Sequence, residues 1–578
     1  MFKTKFFTIV RKHYTIIILA FVVGLLTLLP QLIAVRDMGS DFQGIYPING
    51  SDDLYYLARL QEVKDGHPLL ANPYLYEYKD VQPLQFWVPD FVVASFSILF
   101  GGNVFIANYV LDFILPFLLV LLTYSCLFAL TKDKRISLVG SFFLHVGIFL
   151  ALFGRPVSPQ LIFVFCLTLS YFIIKYFQDM KGKWLLFSVL NFAILFYTYT
   201  YHWTFYTVLF GLFMFFSIFF LKKQSITQIK GFLFVLVGGA LLGIPYFLQL
   251  MRSANLEGYS DTMIRLGMLD THFPSGFAIV GISGMLFIAL VVLYKKKLIQ
   301  NIRMVILLLS AILTPAIVTN HHLITGKNLE FSSHYWPISV FWFVFVGAYL
   351  FHKFVSSLKS DKIKRILILL VSAGIIVFSS VSAWETIKRH SSVSESELVW
   401  QEYSDILYWL GENTEKDDVV WAREGLQDLI PIYTHDNVLF SRFSNLHFMT
   451  SDEVWNRFVL NHYWDVVDEA FIKQHERSIW GTQYINGYGH KLGRNRIRQI
   501  LGFPQVENVR LPDSAIDDFM SYAQDYQNKD LGEMLKKYRI DYIVLDKRRA
   551  SHWRIGDIEY KEIMMEDNRF IVYKLKLQ

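Results

Sequence analysis

Cysteine is nearly absent: the 578-residue chain holds two, Cys126 and Cys166. Both sit inside apolar runs, which excludes a disulfide framework and leaves the redox compartment open. Charge is scarce too, at 18% Asp, Glu, Lys and Arg, where an ordinary soluble chain carries about a quarter. The apolar runs themselves are nearly free of charge; Asp112 is an exception. That argues against a coupled transporter, which needs charged groups along its path, and no repeat relates the two halves of the chain. The net charge of +6 says little until the cations are located, and no nucleic-acid partner is expected.

What is present in quantity is apolar and aromatic surface, 53% and 17% of the residues. It is unevenly spread. Residues 1–387 are dense in long apolar runs, whereas 388–578 reads like soluble protein, so the chain divides into a membrane body and a tail of ordinary domain size. The first run, Tyr14 to Ala34, follows Lys3, Lys5, Arg11 and Lys12. It exceeds the apolar core of a cleaved signal peptide and is long enough to span. Further spans are expected at 104–130, 136–153, 161–177, 185–200, 206–221, 231–250, 276–294, 304–320, 336–355 and 366–387, about eleven in all.

Alternate connections are rich in cations: Lys132, Lys134 and Arg135, then Lys181 and Lys183, then Lys222, Lys223 and Lys230, then Lys295 to Lys297 with Arg303, then Lys359 to Arg365. The connections between them hold few. Cations are retained on the cytoplasmic side during insertion. The N-terminus is therefore expected inside, with the first loop, residues 35–103, and the tail together on the external face of a cell membrane, expected to be prokaryotic.

The first loop is too long for a connector, and long loops are usually functional. It contains Gly50-Ser51-Asp52-Asp53-Leu54-Tyr55-Tyr56-Leu57-Ala58-Arg59. Ser51 or Asp52 is expected to cap a helix whose apolar positions are Tyr56, Leu57, Leu60 and Val63. Paired acids at a helix start are commonplace as caps, but no comparable acidic cluster stands elsewhere at the mouth of the body. A carboxylate there can take a proton from an acceptor hydroxyl or amine. Phe86 to Phe100, bracketed by Pro83, Pro89 and Gly101-Gly102, is about half a span long and is expected to lie in the interface.

The order of Asp52-Asp53, Ala58-Arg59, Asp65-Gly66-His67, Gln82-Pro83-Leu84-Gln85-Phe86-Trp87 and a surface helix ending Leu99-Phe100-Gly101 resembles the GT-C superfamily of membrane glycosyltransferases. Within it, the pattern is similar to the branch of lipid-A aminoarabinose transferases and protein O-mannosyltransferases. The specific residues occupy about Gly50 to Gly101. The resemblance implies transfer from a polyprenyl-phosphate sugar, with inversion, to a glycan, lipid or protein acceptor. It implies Asp52 as general base with Asp53 assisting, and no cofactor, although a divalent metal stays open. Tyr56, Arg59, Lys79 and Gln82 are counted as substrate contacts. Gln82 stands where that branch has a lysine, and Lys79 is displaced from the place by three residues. The oligosaccharyltransferase branch is the alternative within the superfamily. It has acids in a second external loop, and here that loop is Gly154-Arg155-Pro156-Val157-Ser158-Pro159-Gln160. A flippase of lipid-linked glycans is the alternative outside it.

A lipid phosphate at the bilayer edge calls for Arg or Lys. Arg155, alone in a short external loop, is the first candidate, equally readable as a snorkelling helix-end arginine. His202 lies in the next external turn among interfacial aromatics. Lys327 and His334 come from a loop that also holds His321, His322 and Glu330, a set with no recognisable zinc spacing. The tail alternates helix and strand signals, with strands expected at 418–422, 437–441, 542–545 and 570–575, which indicates a small α/β domain. Gly487-Tyr488-Gly489-His490-Lys491-Leu492-Gly493 has neither the spacing nor the context of a dinucleotide loop.

Overall fold

The computed structural model describes residues 11–48, 50–81, 86–152, 154–221, 225–328, 332–423, 425–558 and 561–576. The apolar runs expected to span fold mainly as helices. Among the described residues, eight helical stretches are long and apolar enough to cross a bilayer: Tyr14–Asp41, Val104–Thr131, Pro156–Asp179, Thr200–Leu221, Ser225–Leu242, Phe277–Lys295, Trp336–Ser357 and Asp361–His390. Gly182–Phe196 and Ile302–Val318 are shorter apolar helices. The run expected at 136–153 is broken into Lys134–Phe142, a wider turn at Phe143–Ile148 and a short 3-10 turn at Leu150–Leu152. The expected eleven is thus eight full-length crossings and three shorter segments.

Polar caps set where several of these helices begin. Asn103 accepts from the backbone N–H groups of Phe105 and Ile106, both at 3.0 Å. Asp133 and Asn301 do the same for Lys134–Phe142 and Ile302–Val318. Each satisfies N–H groups that a helix cannot pair internally.

The tail carries a five-stranded sheet in the order Asn437–Val438, Val419–Trp421, Tyr542–Asp546, Phe570–Leu575, Lys561–Glu566. The first three strands are parallel, and the last two pairings are antiparallel. Lys561–Glu566 is missing from the sequence-based expectation because it is an edge strand. Most of its side chains are exposed on both faces, so it shows no apolar alternation. Ahead of the first strand the tail has two helices, Glu395–Gln401 and Ser404–Asn413.

The first loop and the tail share one apolar core. Leu54, Leu60 and Tyr74 of the loop pack in the same cluster as Ile406, Trp421, Leu429 and Val544 of the tail, while a second cluster lies within the membrane body. Polar contacts run along the seam. Gln401 accepts from Gln43 N–H at 2.8 Å and donates to the Ile45 carbonyl at 2.6 Å, and Val438 N–H donates to the Tyr74 carbonyl at 2.7 Å. Arg457 pairs with Glu77 at 2.8 Å. A third segment joins them: Arg265 donates to the Met449 carbonyl at 2.6 Å, and Gly258 turns at φ +78° against the Met449–Thr450 backbone. First loop, tail and the 254–276 connection therefore sit on one side of the helical body.

Candidate active site

The helix that carries the paired acids runs Ser51–Lys64, with extended Gly50 at its N-cap and no side-chain cap. The sequence-based expectation of a Ser51 or Asp52 cap is corrected: Asp52 and Asp53 lie in the first turn, where backbone N–H groups favour negative charge. Successive positions on a helix point about 100° apart, and the pair divides accordingly. The Asp52 side chain is 68% exposed and Asp53 only 11%.

Arg155 meets both acids. Its Nη1 donates to Asp52 Oδ2 at 2.7 Å, and its Nε lies 3.7 Å from Asp53 Oδ1. Its guanidinium also sits 5.8 Å from the Tyr56 ring centre. Burial works against the charge on Arg155, but Tyr56, Asp53 and Asp52 outweigh it and raise its pKa. A lone arginine at a helix end would extend into water; this one turns inward to the acids.

Asp53, Arg155 and Tyr56 line a cleft with Gln31, Tyr46, Phe105, Tyr109 and Pro156. Two of the lining rings, Tyr46 and Phe105, stack at 5.0 Å, and Phe105 also stacks on Tyr433 of the tail at 4.6 Å. First loop, membrane helix and tail each supply one ring of that stack. Gln31 leads from the cleft to a buried acid, donating to Asp112 Oδ2 at 2.9 Å, while Gln160 donates to Asp112 Oδ1 at 2.6 Å. Asp112 is fully buried, so these two amides satisfy a carboxyl that would otherwise be left bare in an apolar setting.

Other expected site residues lie elsewhere. Arg59 is enclosed and fully engaged, donating to Asp90 at 2.9 and 2.6 Å, to Tyr55 Oη at 2.9 Å and to the Phe86 carbonyl at 2.9 Å. It pins the Ser51–Lys64 helix to Val88–Phe96. Lys79 reaches Glu62 at 2.6 Å and Asp417 at 3.0 Å, bridging first loop and tail. His202 is buried between the rings of Phe163 and Tyr199. His334 stacks on Tyr201, centres 4.7 Å apart, and hydrogen-bonds Tyr199. Lys327 is exposed on a two-residue ribbon, paired in register with Asp270. Gln82 and Glu330 lie outside the described residues. Among the described residues no three His, Cys, Asp or Glu side chains gather as a metal site would require.

Sequence reasoning overlooked the Gln31–Asp112–Gln160 unit and Tyr433. The first had a visible trace, an acid and two amides in otherwise apolar runs. Tyr433 had none, because its neighbours Tyr46 and Phe105 come from distant parts of the chain.

These features define a polytopic helical membrane protein with an α/β domain seated on its first loop. No protein-family model matches the chain, and no curated protein matches it. Among solved structures, it is similar to the Archaeoglobus fulgidus oligosaccharyltransferase tethered with an acceptor peptide, at 11% identity and TM-score 0.49, over 92% of this chain and 69% of that one. It is also similar to ArnT from Cupriavidus metallidurans bound to undecaprenyl phosphate, at 11% identity and TM-score 0.46, over 98% of each chain. At that distance no residue's role passes from either protein to this one.

Proposed function

We propose that this protein is a membrane glycosyltransferase that moves a sugar from a polyprenyl-phosphate carrier to an acceptor hydroxyl or amine on the side of the membrane that bears the tail. The carrying observation is Arg155 spanning Asp52 and Asp53 at an aromatic-lined cleft between the first loop and the membrane body. An arginine so placed binds a phosphate oxygen by charge-assisted hydrogen bonds. Stacked tyrosine and phenylalanine rings suit the apolar face of a sugar or the first isoprene units.

In the proposed reaction the donor phosphate takes Arg155 and releases Asp52 from its ion pair. The acceptor oxygen or nitrogen attacks the anomeric carbon from the face opposite the phosphate. The bond between that carbon and the phosphate oxygen breaks, and polyprenyl phosphate leaves with the bonding pair. Asp52 takes the acceptor proton, which is general-base catalysis worth about 10²–10⁴-fold. Asp53, deeper in the cleft, holds the Arg155 guanidinium in place. The configuration at the anomeric carbon inverts, and no metal is assigned to the reaction.

The test is transfer and binding of polyprenyl-phosphate sugars by the purified protein and by Asp52→Asn, each without and with a chelator. Wild-type transfer that is lost in Asp52→Asn while lipid binding persists is the expected result. Absence of both binding and transfer in wild type across a panel of such donors would remove the proposal. Transfer that stops on adding chelator would remove its metal-free form.

A further inference from the structure

The helix Gln483–Ile500 of the tail holds Lys491, Arg494, Arg496 and Arg498 and no acid. Over 483–510 there are five Lys or Arg residues against a single acid, Glu507. Its place in the fold is fixed by two contacts with the connection that enters a membrane helix. His490 Nε2 lies 3.2 Å from Thr271 Oγ1, and the Arg494 guanidinium lies 5.7 Å from the Phe273 ring centre. Phe273 stands four residues before Phe277, where the Phe277–Lys295 span begins. The middle of the cationic helix therefore lies beside the segment that leads into the Phe277–Lys295 helix.

Beyond Arg494 the helix ends in an apolar tip. Ile500 is 82% exposed, Leu501 63% and Phe503 57%. The tip is a built feature. Asn495 donates to the Val506 carbonyl at 2.7 Å and accepts from Val506 N–H at 2.9 Å, and Phe503 N–H donates to the Arg498 carbonyl at 2.7 Å. The hydrogen bonds hold three large apolar side chains out in water, which is costly unless something covers them.

We propose that this helix and its tip are a membrane-docking element: Ile500, Leu501 and Phe503 enter the leaflet that faces the tail, and Lys491, Arg494 and Arg496 engage its anionic headgroups. Charge complementarity and nearness to the Phe277 helix entry select the bilayer over a protein partner. Cations above an apolar tip are the composition that binds an anionic lipid surface. The inference stands independently of the reaction at Asp52.

The experiment uses the full chain in nanodiscs, one set of phosphatidylcholine and one of phosphatidylcholine mixed with phosphatidylglycerol. A nitroxide is attached at Leu501→Cys; Cys126 and Cys166 are fully buried and do not compete for label. In the mixed lipid, collision of the label with oxygen is expected to rise several-fold over collision with a water-soluble nickel chelate. The double variant Arg494→Glu, Arg496→Glu should return the label to an aqueous reading. An aqueous reading in both lipids, which needs no charge variant, overturns the proposal. Equal immersion in both lipids that survives charge reversal also overturns it, because apolar area alone would then do the docking.

Discussion

Arg155 spans both carboxylates of the Asp52–Asp53 pair, at 2.7 Å to one and 3.7 Å to the other, across 103 residues of chain. Among the described residues lining that cleft Arg155 is the one arginine or lysine, and a cation held between two acids can change partners when a phosphate arrives.

Arg155→Ala should weaken binding of a polyprenyl-phosphate donor about 10- to 100-fold, the loss of one or two charge-assisted hydrogen bonds. Arg155→Lys should recover only part, since an ammonium lacks the planar fork that reaches two acceptors at once. Donor titration of the three proteins at fixed ionic strength checks this, and equal affinities would remove Arg155 from the phosphate site.

Arg59 and Asp90 form a buried pair, with side chains 2% and 0% exposed. Arg59→Ala or Asp90→Ala leaves the other charge unpaired, and each should cost about 3–5 kcal/mol. Arg59→Met with Asp90→Leu should cost much less than either single change. Thermal unfolding in detergent measures all three. Single variants as stable as wild type would mean that the pair does not pin the two helices.

Glu62 is buried beside Lys79 and Asp417, and burial, partly offset by Lys79, raises its pKa from 4.5 to about 7. A carboxyl raised on folding holds its proton more tightly in the folded state than in the unfolded one. The stability it contributes is therefore complete below its unfolded value and is lost as pH rises through about 7. At about 1.4 kcal/mol per pH unit the full effect is on the order of 3 kcal/mol. Between about pH 5 and pH 8, the melting temperature of Glu62→Gln should fall less than that of wild type. Parallel curves would show that Glu62 does not titrate there.

At Gly258 a Cβ would stand 2.1 Å from the Met449 carbonyl carbon and 2.5 Å from Thr450 N, and φ is +78°. Backbone cannot yield as a side chain can, so Gly258→Ala should lift the 254–276 connection from the tail. The readout is trypsin cleavage at Arg265, which is buried in the wild type. Gly281→Ala, which meets no atom within 4 Å, should leave cleavage unchanged.

Periodicity and length determine whatever depends on neighbours along the chain. The apolar runs, the Ser51–Lys64 helix, the half-span at Val88–Phe96 and most tail strands were legible for that reason: backbone hydrogen bonding and burial impose short-range patterns. The acids at 52 and 53 stood out by type and place. Their partner was harder to see. Arg155 read equally as a lipid-phosphate ligand and as a snorkelling helix-end arginine, and neither reading placed it against Asp52 and Asp53. Arg59 and Lys79 were expected at the substrate, yet tertiary contacts consume them, one in Asp90 and the other in Glu62 and Asp417. The edge strand Lys561–Glu566 was silent because its side chains are mostly exposed on both faces.

The sequence by itself determined that this is a membrane body with a soluble tail and an acidic pair at its first loop, because hydrophobicity and residue type are local properties. The tertiary structure alone decided which cation meets those acids, that Tyr46, Phe105 and Tyr433 stack in one run, and that loop and tail share one core. Those facts depend on the meeting of segments up to hundreds of residues apart, and that meeting is set by the summed packing of the whole chain rather than by any stretch of it.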